Sequence, residues 1–268
     1  WDLESMKSLQ LETINETTAV LAKFMVSQLD SLEFNEYQAE LKSLINWTGD
    51  HPLNSKNPTI YYKWLYHTLR LAMEDELGNE GFQAYLGTFM MIRSNQIFLT
   101  KEENPWWDNR NTSEIEFRKN ILTEALTVTF EELENQFGKE SKDWAWKNAV
   151  SLEHPHPLGS QKPLDKIFNI QAGPVEANEE SVNKLAFTLN GEGIYQVRSG
   201  PAMRIIMDFA DVESSVSVLP TGNSGNRFSK HYADQKELFT KGKYRPQLMN
   251  EEKIKEKAKA KLLLLPKN

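Results

Sequence analysis

The hydrophobic pattern of this chain changes near residue 150, and that change constrains the fold more than any other feature of the sequence. Before it, apolar residues recur with the 3.6-residue period of amphipathic helices. After it, Pro and Gly interrupt the chain repeatedly, and apolar residues alternate with the period of two that strands show. The sequence therefore predicts an α+β fold, with a helical region over 1–150 and a strand-rich region over 151–268.

The helical region contains one segment that is apolar around a wide arc. Residues 59–77 carry two apolar stripes, which predicts a helix buried on more than one side. Gly78 fits the C-terminal cap of that helix. Ser113, with Glu116 three residues on, has the spacing of a capping box. The helices predicted in this region lie at 14–29, 36–45, 59–77, 81–96 and 113–137.

The strand-rich region predicts an antiparallel meander, because short alternating runs are separated by turn-forming residues. In order, the predicted elements are strands at 185–189, 195–197, 203–209 and 216–218, a glycine-rich loop at 220–226, helices at 232–240 and from 250, and a strand at 262–265.

Composition excludes several function classes. The chain has no Cys, so disulfides, thiolate metal sites and a Cys nucleophile are all ruled out. A net charge of -7 repels phosphate backbones, so nucleic acid is not an expected partner. The lysine cluster at 253–261 is interleaved with Glu and is typical of a solvated helix face. No segment approaches the roughly 18 apolar residues of a membrane-spanning helix.

Two serines stand in patterns that resemble nucleophile motifs, and both patterns are incomplete. Ser224 lacks the Gly that a nucleophile elbow needs at position 226, where this chain has Asn226. This favours a structural loop and leaves a serine hydrolase built on Ser224 with His231 as a weaker alternative. Ser181 and Lys184 match a two-residue lactamase-type pattern that arises often by chance.

The histidines and a tryptophan pair each allow a structural and a functional interpretation. His154 and His156 could offer metal ligands, but flanking prolines favour an extended connector. His67 lies in the buried helix and is expected to be a core residue, and His231 is expected to join a local hydrogen-bond network. Trp106–Trp107 could line a pocket, although packing of a loop onto the core is favoured. From residues and spacing alone, no complete catalytic constellation is visible.

Two stretches of the sequence resemble the penicillin acylase family. The first, WAWKNAVSLEHPHPLG over Trp144–Gly159, is similar to a family segment that ends in HPLG. The second and stronger one spans Gly200–Gln235, where Ala202 replaces the usual Ser and Asn223 the usual Gln. The positions that fall on the family pattern are Gly200, Arg204, Asp208, Gly222, Ser224, Gly225, Ser229, His231, Tyr232, Asp234 and Gln235.

The resemblance extends beyond those two stretches. Phe239, Gly242, Tyr244 and Pro246 continue the pattern, with Phe239 where the family often has Trp. The opening WDLESMKSLQLET also looks like the helix that begins this part of the family's large chain. The resemblance therefore covers nearly the whole sequence, in order.

What this resemblance implies is an N-terminal nucleophile hydrolase with an α-β-β-α sandwich. In such enzymes the N-terminal Ser of the large chain attacks an amide, with its own α-amino group as base. Backbone N–H and an Asn side chain form the oxyanion hole. In the family that Ser, that Asn and the calcium ligands precede the region matched here, and residue 1 is Trp. No catalytic residue, cofactor ligand or metal ligand is therefore carried onto this chain, and its matched positions are expected to be structural.

Two functional hypotheses follow. The first is the C-terminal portion of an acylase large chain, partnered by the small chain and by the N-terminal part of the large chain. The whole enzyme would hydrolyse linear amides, such as a β-lactam side chain or an N-acyl homoserine lactone, in the periplasm or outside the cell. The second is a stand-alone binding or structural module that kept the scaffold. An isolated portion is expected to be poorly soluble or to self-associate, because its strands would expose apolar edges.

Overall fold

The structure is a computed structural model that describes residues 2–30 and 33–266. Helices occupy its first half and small sheets follow, which confirms the predicted α+β class. The described chain divides into two compact units. The helical unit comprises Glu12–His154 and Gln171–Gly200, and the small-sheet unit comprises the described residues up to Leu11, Pro155–Ile170 and those from Pro201 on.

Ten α-helices lie among the described residues. They are α1 (Leu3–Gln10), α2 (Glu16–Ser27), α3 (Gln38–Ile45), α4 (Asn57–Leu86), α5 (Phe89–Thr100), α6 (Arg118–Phe137), α7 (Trp146–Ala149), α8 (Asp165–Phe168), α9 (Lys236–Thr240) and α10 (Glu251–Lys257). Within the part of the chain that the structure describes, none of them combines the length and apolarity that crossing a bilayer requires.

Helix α4 is the central element of the helical unit, and it packs mainly against α6. Ile60, Trp64 and Leu69 are completely buried, and buried residues continue around the helix, as its wide apolar arc predicts. The Trp64 indole donates a hydrogen bond of 3.0 Å to the carbonyl of Leu122 in α6. This bond satisfies the one polar atom of Trp64 within an apolar interface.

The helical backbone is interrupted at Gly78, within α4, and at Thr88, between α4 and α5. Gly78 has φ 66° and ψ 165°, so the predicted end of the first helical segment is confirmed, although helix resumes directly afterwards. Thr88 accepts a hydrogen bond from the backbone N–H of Met91 and begins α5. The single helix predicted over 81–96 is therefore wrong, because this N-cap and Gly87 before it separate two helices.

The capping box predicted at Ser113 is also wrong. The Glu116 carboxylate accepts hydrogen bonds from the Asn109 backbone N–H at 3.0 Å and from the Thr112 hydroxyl at 2.7 Å. The polar loop thus engages the side chain that the capping box needs, and α6 begins only at Arg118.

Two three-stranded sheets are present among the described residues. In the first, β1 and β3 are parallel, with Val150 opposite Tyr195. In the second, all neighbours are antiparallel, with Arg204 opposite Val218. The predicted antiparallel meander is therefore confirmed only for the second sheet. The strands are β1 (Val150–His154), β2 (Ile170–Gly173) and β3 (Tyr195–Val197), in the order β2-β1-β3, then β4 (Arg204–Ile206), β5 (Val216–Val218) and β6 (Arg245–Pro246), in the order β4-β5-β6.

The strand predicted at 185–189 is reduced to one bridge. Ala186 pairs with Ser199, and its N–H donates to the Ser199 carbonyl at 2.8 Å. Leu185 and Phe187 are buried. The alternating apolar residues therefore pack into the core of the helical unit, although the segment forms only an isolated β-bridge.

Of two elements predicted near the end of the chain, the helix is confirmed in part and the strand is wrong. Only Lys236–Thr240 of the helix predicted at 232–240 is helical, because the residues before it belong to a hydrogen-bonded loop. Residues 262–265 lie outside any strand, and their leucines are 68–82% exposed. An apolar strand needs a partner edge, and none of the described strands pairs with this segment. The charged helix from Asn250 is confirmed as α10, with Asn250 as its N-cap.

Candidate functional site

Most of the positions on the family pattern lie in one loop of the small-sheet unit, which we name the motif loop (residues 219–235). Two backbone hydrogen bonds join its two arms: Ser224 N–H to the His231 carbonyl at 3.1 Å, and Gln235 N–H to the Thr221 carbonyl at 2.8 Å. Gly222 lies where the arms meet. A Cβ atom there would lie 2.1 Å from the His231 carbonyl oxygen, so only glycine fits.

Several polar side chains of the motif loop bind one another or the loop backbone. His231 Nδ1 lies 2.7 Å from Asp234 Oδ2. Ser229 Oγ accepts from the His231 backbone N–H at 3.1 Å, and Ser224 Oγ accepts from the Asn226 backbone N–H at 3.2 Å. Such short-range bonds are typical of residues that shape a turn. They place Ser224 and His231 in one loop, but each of the two side chains is engaged with a different partner.

Two further positions fasten the motif loop within its unit. The Gln235 side chain is buried and accepts from the Leu219 backbone N–H at 3.0 Å. The Tyr232 hydroxyl donates to the Phe168 carbonyl at 2.5 Å. A buried amide that completes a backbone bond is costly to remove, because the partner N–H would then lack an acceptor.

Arg204 and Asp208 have equally specific surroundings beside β4. Arg204 is 5% exposed; its Nη1 donates to the Phe239 carbonyl at 2.8 Å, and its guanidinium lies 4.0 Å from the centre of the Phe239 ring. Burial lowers the pKa of Arg204 below its ordinary value. The Asp208 carboxylate accepts from the Ala210 backbone N–H at 2.9 Å and so shapes the turn after β4.

Gly200 and Gly225 differ sharply in how much room they leave. Gly200, in the helical unit, has little space for a Cβ atom, which would lie 2.6 Å from a methyl group of Leu185 and 3.4 Å from the Lys184 carbonyl oxygen. Gly225 has nothing within 4 Å of such an atom. The family positions therefore include both sterically required and freely substitutable glycines.

A second group of polar side chains is buried in the helical unit and was missed by the sequence analysis. His51 is fully buried, with Nε2 2.8 Å from the Tyr62 hydroxyl and Nδ1 3.2 Å from the Thr13 carbonyl. Asn178 Nδ2 lies 3.1 Å from the same Nδ1. Burial lowers the pKa of His51 to about 4, although backbone hydrogen bonds oppose the shift. The ring is therefore neutral at pH 7, where it can donate from one nitrogen and accept at the other.

A buried lysine and histidine share one carboxylate between α4 and α6. Lys63 Nζ lies 2.7 Å, and His67 Nε2 3.1 Å, from Glu132 Oε2. Burial lowers the pKa of His67 to about 4. Burial raises the pKa of Glu132, but the bonds from Lys63 and His67 outweigh this, so the net pKa is below its usual value. His67 is thus a core residue, as predicted, and this cluster joins two packed helices.

His156 and Trp107 adopt structural positions. His156 Nδ1 accepts from the Leu158 backbone N–H at 3.1 Å, and its ring stacks on Phe168. Trp107 is 1% exposed and donates to the Lys101 carbonyl, which confirms that its loop packs onto the core. Among residues 2–30 and 33–266, no three His, Asp or Glu side chains come close enough together to hold a metal ion.

An apolar groove of about 500 Å³ lies in the helical unit, beside Trp106. The Tyr85 and Ser94 hydroxyls in its wall are 2.9 Å apart, and Lys101 is the one charged side chain among the described residues that line it. The described lining of the groove is thus mainly apolar.

Comparison with known proteins decides the family. A family model described as penicillin amidase matches residues 1–256. The chain belongs to the penicillin amidase family. Its membership agrees with the resemblance of the motif loop and of Trp144–Gly159.

Curated relatives of this penicillin amidase family chain carry the name acyl-homoserine lactone acylase QuiP. That of Pseudomonas syringae pv. syringae is 27% identical over 232 residues, which are 83% of this chain and 27% of the relative. That of Pseudomonas putida is 28% identical over 200 residues, which are 71% of this chain and 24% of the relative. The chain thus spans about a quarter of the length of these relatives.

A solved structure shares the fold. The thermostable penicillin G acylase from Alcaligenes faecalis superposes with a TM-score of 0.55 and 15% identity. The match covers 100% of this chain and 50% of that chain. The described units therefore adopt part of the penicillin acylase fold.

Proposed function

We propose that this chain is one part of an amidohydrolase that cleaves the linear amide of N-acyl homoserine lactones. Support for the reaction comes from membership of the penicillin amidase family. Support for the substrate class comes from relatives named acyl-homoserine lactone acylase, which are 24–28% identical to this chain. The penicillin G acylase resembles it at 15% identity, so that likeness supports the fold and not the β-lactam substrate.

In that enzyme, the chain supplies scaffold and not the nucleophile. One observation carries this part of the proposal: Ser224 and His231 are each bonded to a different partner within the motif loop. Ser224 Oγ accepts an N–H of its own loop, and the His231 imidazole pairs with Asp234. A nucleophilic serine needs a base within hydrogen-bond reach of its Oγ, and these contacts serve a different purpose.

The nucleophile, the oxyanion donors and the calcium ligands are proposed to belong to the remainder of the acylase. This assignment rests on the resemblance to the family, which implies that all three precede the matched region. By the same resemblance, we propose that the assembled enzyme works in the periplasm or outside the cell.

The test is an amide-hydrolysis assay of the 268-residue chain alone and after co-expression with the remaining polypeptide of its acylase. Release of free homoserine lactone and fatty acid is followed by mass spectrometry, with penicillin G as the comparison substrate. Hydrolysis is expected only in the co-expressed sample, and faster with the N-acyl homoserine lactone. Turnover by the chain alone overturns the scaffold role, and an inactive co-expressed assembly supports the stand-alone module instead.

A further inference from the structure

A small pocket in the helical unit combines two carboxylates with a mainly apolar wall. It has a volume of about 50 Å³ and lies among α2, α4, α5 and residues 179–189. Glu179 and Glu180 line it, and among the described residues no Lys, Arg or His does so. We name it the acidic pocket. Pockets of this kind, apolar with a few polar groups, are typical of small-ligand sites.

Three polar side chains in the wall of the acidic pocket already have partners. Asn15 Oδ1 caps α2 by accepting a backbone N–H at 3.1 Å, and the Tyr62 hydroxyl lies 2.8 Å from His51 Nε2. Glu180 Oε1 lies 3.1 Å from the Arg93 guanidinium. These groups shape the pocket and have less capacity left for a ligand.

Asn95 brings to the wall an oxygen without a partner. Its side chain is 6% exposed, and its buried Oδ1 accepts no hydrogen bond from the described residues. Its Nδ2 lies 3.3 Å from Met91 Sδ. A buried amide oxygen that lacks a donor costs free energy, so Asn95 Oδ1 is a ready acceptor for a ligand in the pocket.

Glu179 is a buried carboxylate whose charge is only partly compensated. Its side chain is 12% exposed, and its ion pair with Arg198 spans 3.8 Å, which is longer than a hydrogen bond. Burial raises the pKa of Glu179 above its usual value, although the charges of Arg198 and Lys184 oppose the shift. The carboxylate has therefore lost solvation that its neighbours do not restore, and a cation in the pocket would compensate for that loss.

We propose that the acidic pocket binds a small primary ammonium ion with a short alkyl chain. The ammonium group would donate to the Glu179 carboxylate and to Asn95 Oδ1, and the alkyl chain would contact Leu65 and Phe187 in the wall. The pocket has room for roughly four water-sized groups, which matches the size of a propylammonium ion. This inference goes beyond the proposed function and does not rest on it, because all of these residues belong to the helical unit.

Other ligand classes fit the acidic pocket less well. An anion would meet the two carboxylates and be repelled. Ca²⁺ takes six or more oxygen ligands, whereas this wall is mainly apolar, and no three His, Asp or Glu side chains cluster for a metal in the described chain. A neutral alcohol would leave the charge of Glu179 without a partner in the pocket.

Titration of the 268-residue chain with n-propylammonium chloride, followed by NMR, tests the proposal. Saturable shifts of the Asn95 side-chain amide and of the Phe187 backbone N–H are expected, with a Kd on the order of 1 mM. Propan-1-ol and propionate have the same length but no positive charge, so each is expected to bind about tenfold more weakly or worse. Absence of saturation with n-propylammonium overturns the proposal, and so does equal binding of propan-1-ol.

Two variants test the residues that the proposal names. Glu179→Gln keeps the shape of the side chain and removes its charge, and it is expected to weaken n-propylammonium binding about tenfold or more. Asn95→Leu removes the amide oxygen and is expected to weaken binding roughly fivefold. Glu124→Gln is the matched control, because Glu124 is exposed on α6 and does not line the pocket.

The variants have defined outcomes. Unchanged binding in Glu179→Gln overturns the proposal, and so does an equal loss in Glu124→Gln, which would show that binding follows the net charge of the chain. Glu179→Gln buries no new charge and is expected to stay folded, and the comparison of the three ligands needs no variant. A failure of Asn95→Leu to fold therefore leaves both of these tests in force.

Discussion

His51 and Tyr62 are joined by a 2.8 Å hydrogen bond between the imidazole Nε2 and the phenol oxygen in the core of the helical unit. The His51 ring also lies within 6.2 Å of the ring of Trp146 and is fully buried. Burial disfavours the charged imidazolium, and this lowers the pKa of His51 to about 4. The His51 ring therefore stabilises the helical unit through these hydrogen bonds in its neutral form, and protonation destabilises the unit.

This geometry predicts that the helical unit loses stability as the pH falls from 6.5 towards 4. Below pH 6.5, His51 is protonated in the unfolded state but stays neutral in the folded state. Because the unfolded state then binds more protons, lowering the pH reduces the free energy of unfolding. Between pH 7 and pH 5 the loss is about 2 kcal/mol for His51, and His67, with the same lowered pKa, contributes a similar amount.

Urea unfolding followed by tryptophan fluorescence at pH 7 and pH 5 measures this loss. His51→Gln is expected to be less stable at pH 7 but to show a smaller drop at pH 5 than the wild type. His67→Gln is the matched comparison, since it removes the other titrating ring and leaves the His51 network whole. The prediction is contradicted if both variants lose as much between the two pH values as the wild type does.

Gly222 is predicted to be irreplaceable in the motif loop. Gly222→Ala would place a methyl carbon 2.1 Å from the His231 carbonyl oxygen and 2.7 Å from Asp234 Oδ1. The arms of the loop would have to separate, at a cost of about 1–3 kcal/mol. Increased cleavage of the motif loop in limited proteolysis, with a lower urea midpoint, is the expected result.

Gly225→Ala is the control for Gly222→Ala, because it adds the same methyl group three residues away with nothing within 4 Å. It is expected to match the wild type within about 0.5 kcal/mol. Equal effects from the two alanines would show that the contact at His231 is not what fixes the loop.

The 3.6-residue spacing of apolar residues predicts the helical core well, because this spacing depends only on residues within one helix. The wide apolar arc of α4 follows from spacing alone, and Trp64 is as buried as the pattern implies. The helix boundaries depend on single side chains, and there prediction fails. Thr88 divides a continuous apolar pattern by capping Met91, and Glu116 turns away from the helix it was expected to cap.

The buried polar network could not be predicted because its members are far apart in sequence. His51 meets Thr13 and Asn178, which are 38 and 127 residues away, and no motif links those positions. His231 and Asp234 are three residues apart, and a pair at that spacing is within reach of sequence reasoning. Residues 262–265 show a third case: their pattern predicts a strand, but none of the described strands pairs with them.

Gly78 is predicted to be required by its backbone conformation and not by lack of space. Its φ of 66° with ψ of 165° lies in a region that only glycine adopts freely, although nothing lies within 4 Å of a Cβ atom there. Gly78→Ala is expected to lower the free energy of unfolding by about 1–3 kcal/mol. Gly87→Ala, at φ -77° and ψ -7°, is the control and is expected to be nearly neutral. Thermal unfolding by circular dichroism measures both, and a neutral Gly78→Ala contradicts the prediction.

Ser224 is predicted to leave catalysis unchanged in the assembled acylase. Its Oγ accepts the Asn226 backbone N–H at 3.2 Å, so Ser224→Ala removes one exposed hydrogen bond and no reacting group. The kcat/KM for an N-acyl homoserine lactone is expected to stay within about twofold of the wild type, whereas loss of a true nucleophile lowers kcat by roughly 10⁶. His231→Gln tests the second member of the alternative serine hydrolase in the same assay, and it too is expected to retain activity. A fall of about 10³ or more in both variants, with the assembly intact by native mass spectrometry, would place the nucleophile on this chain and reject the scaffold role.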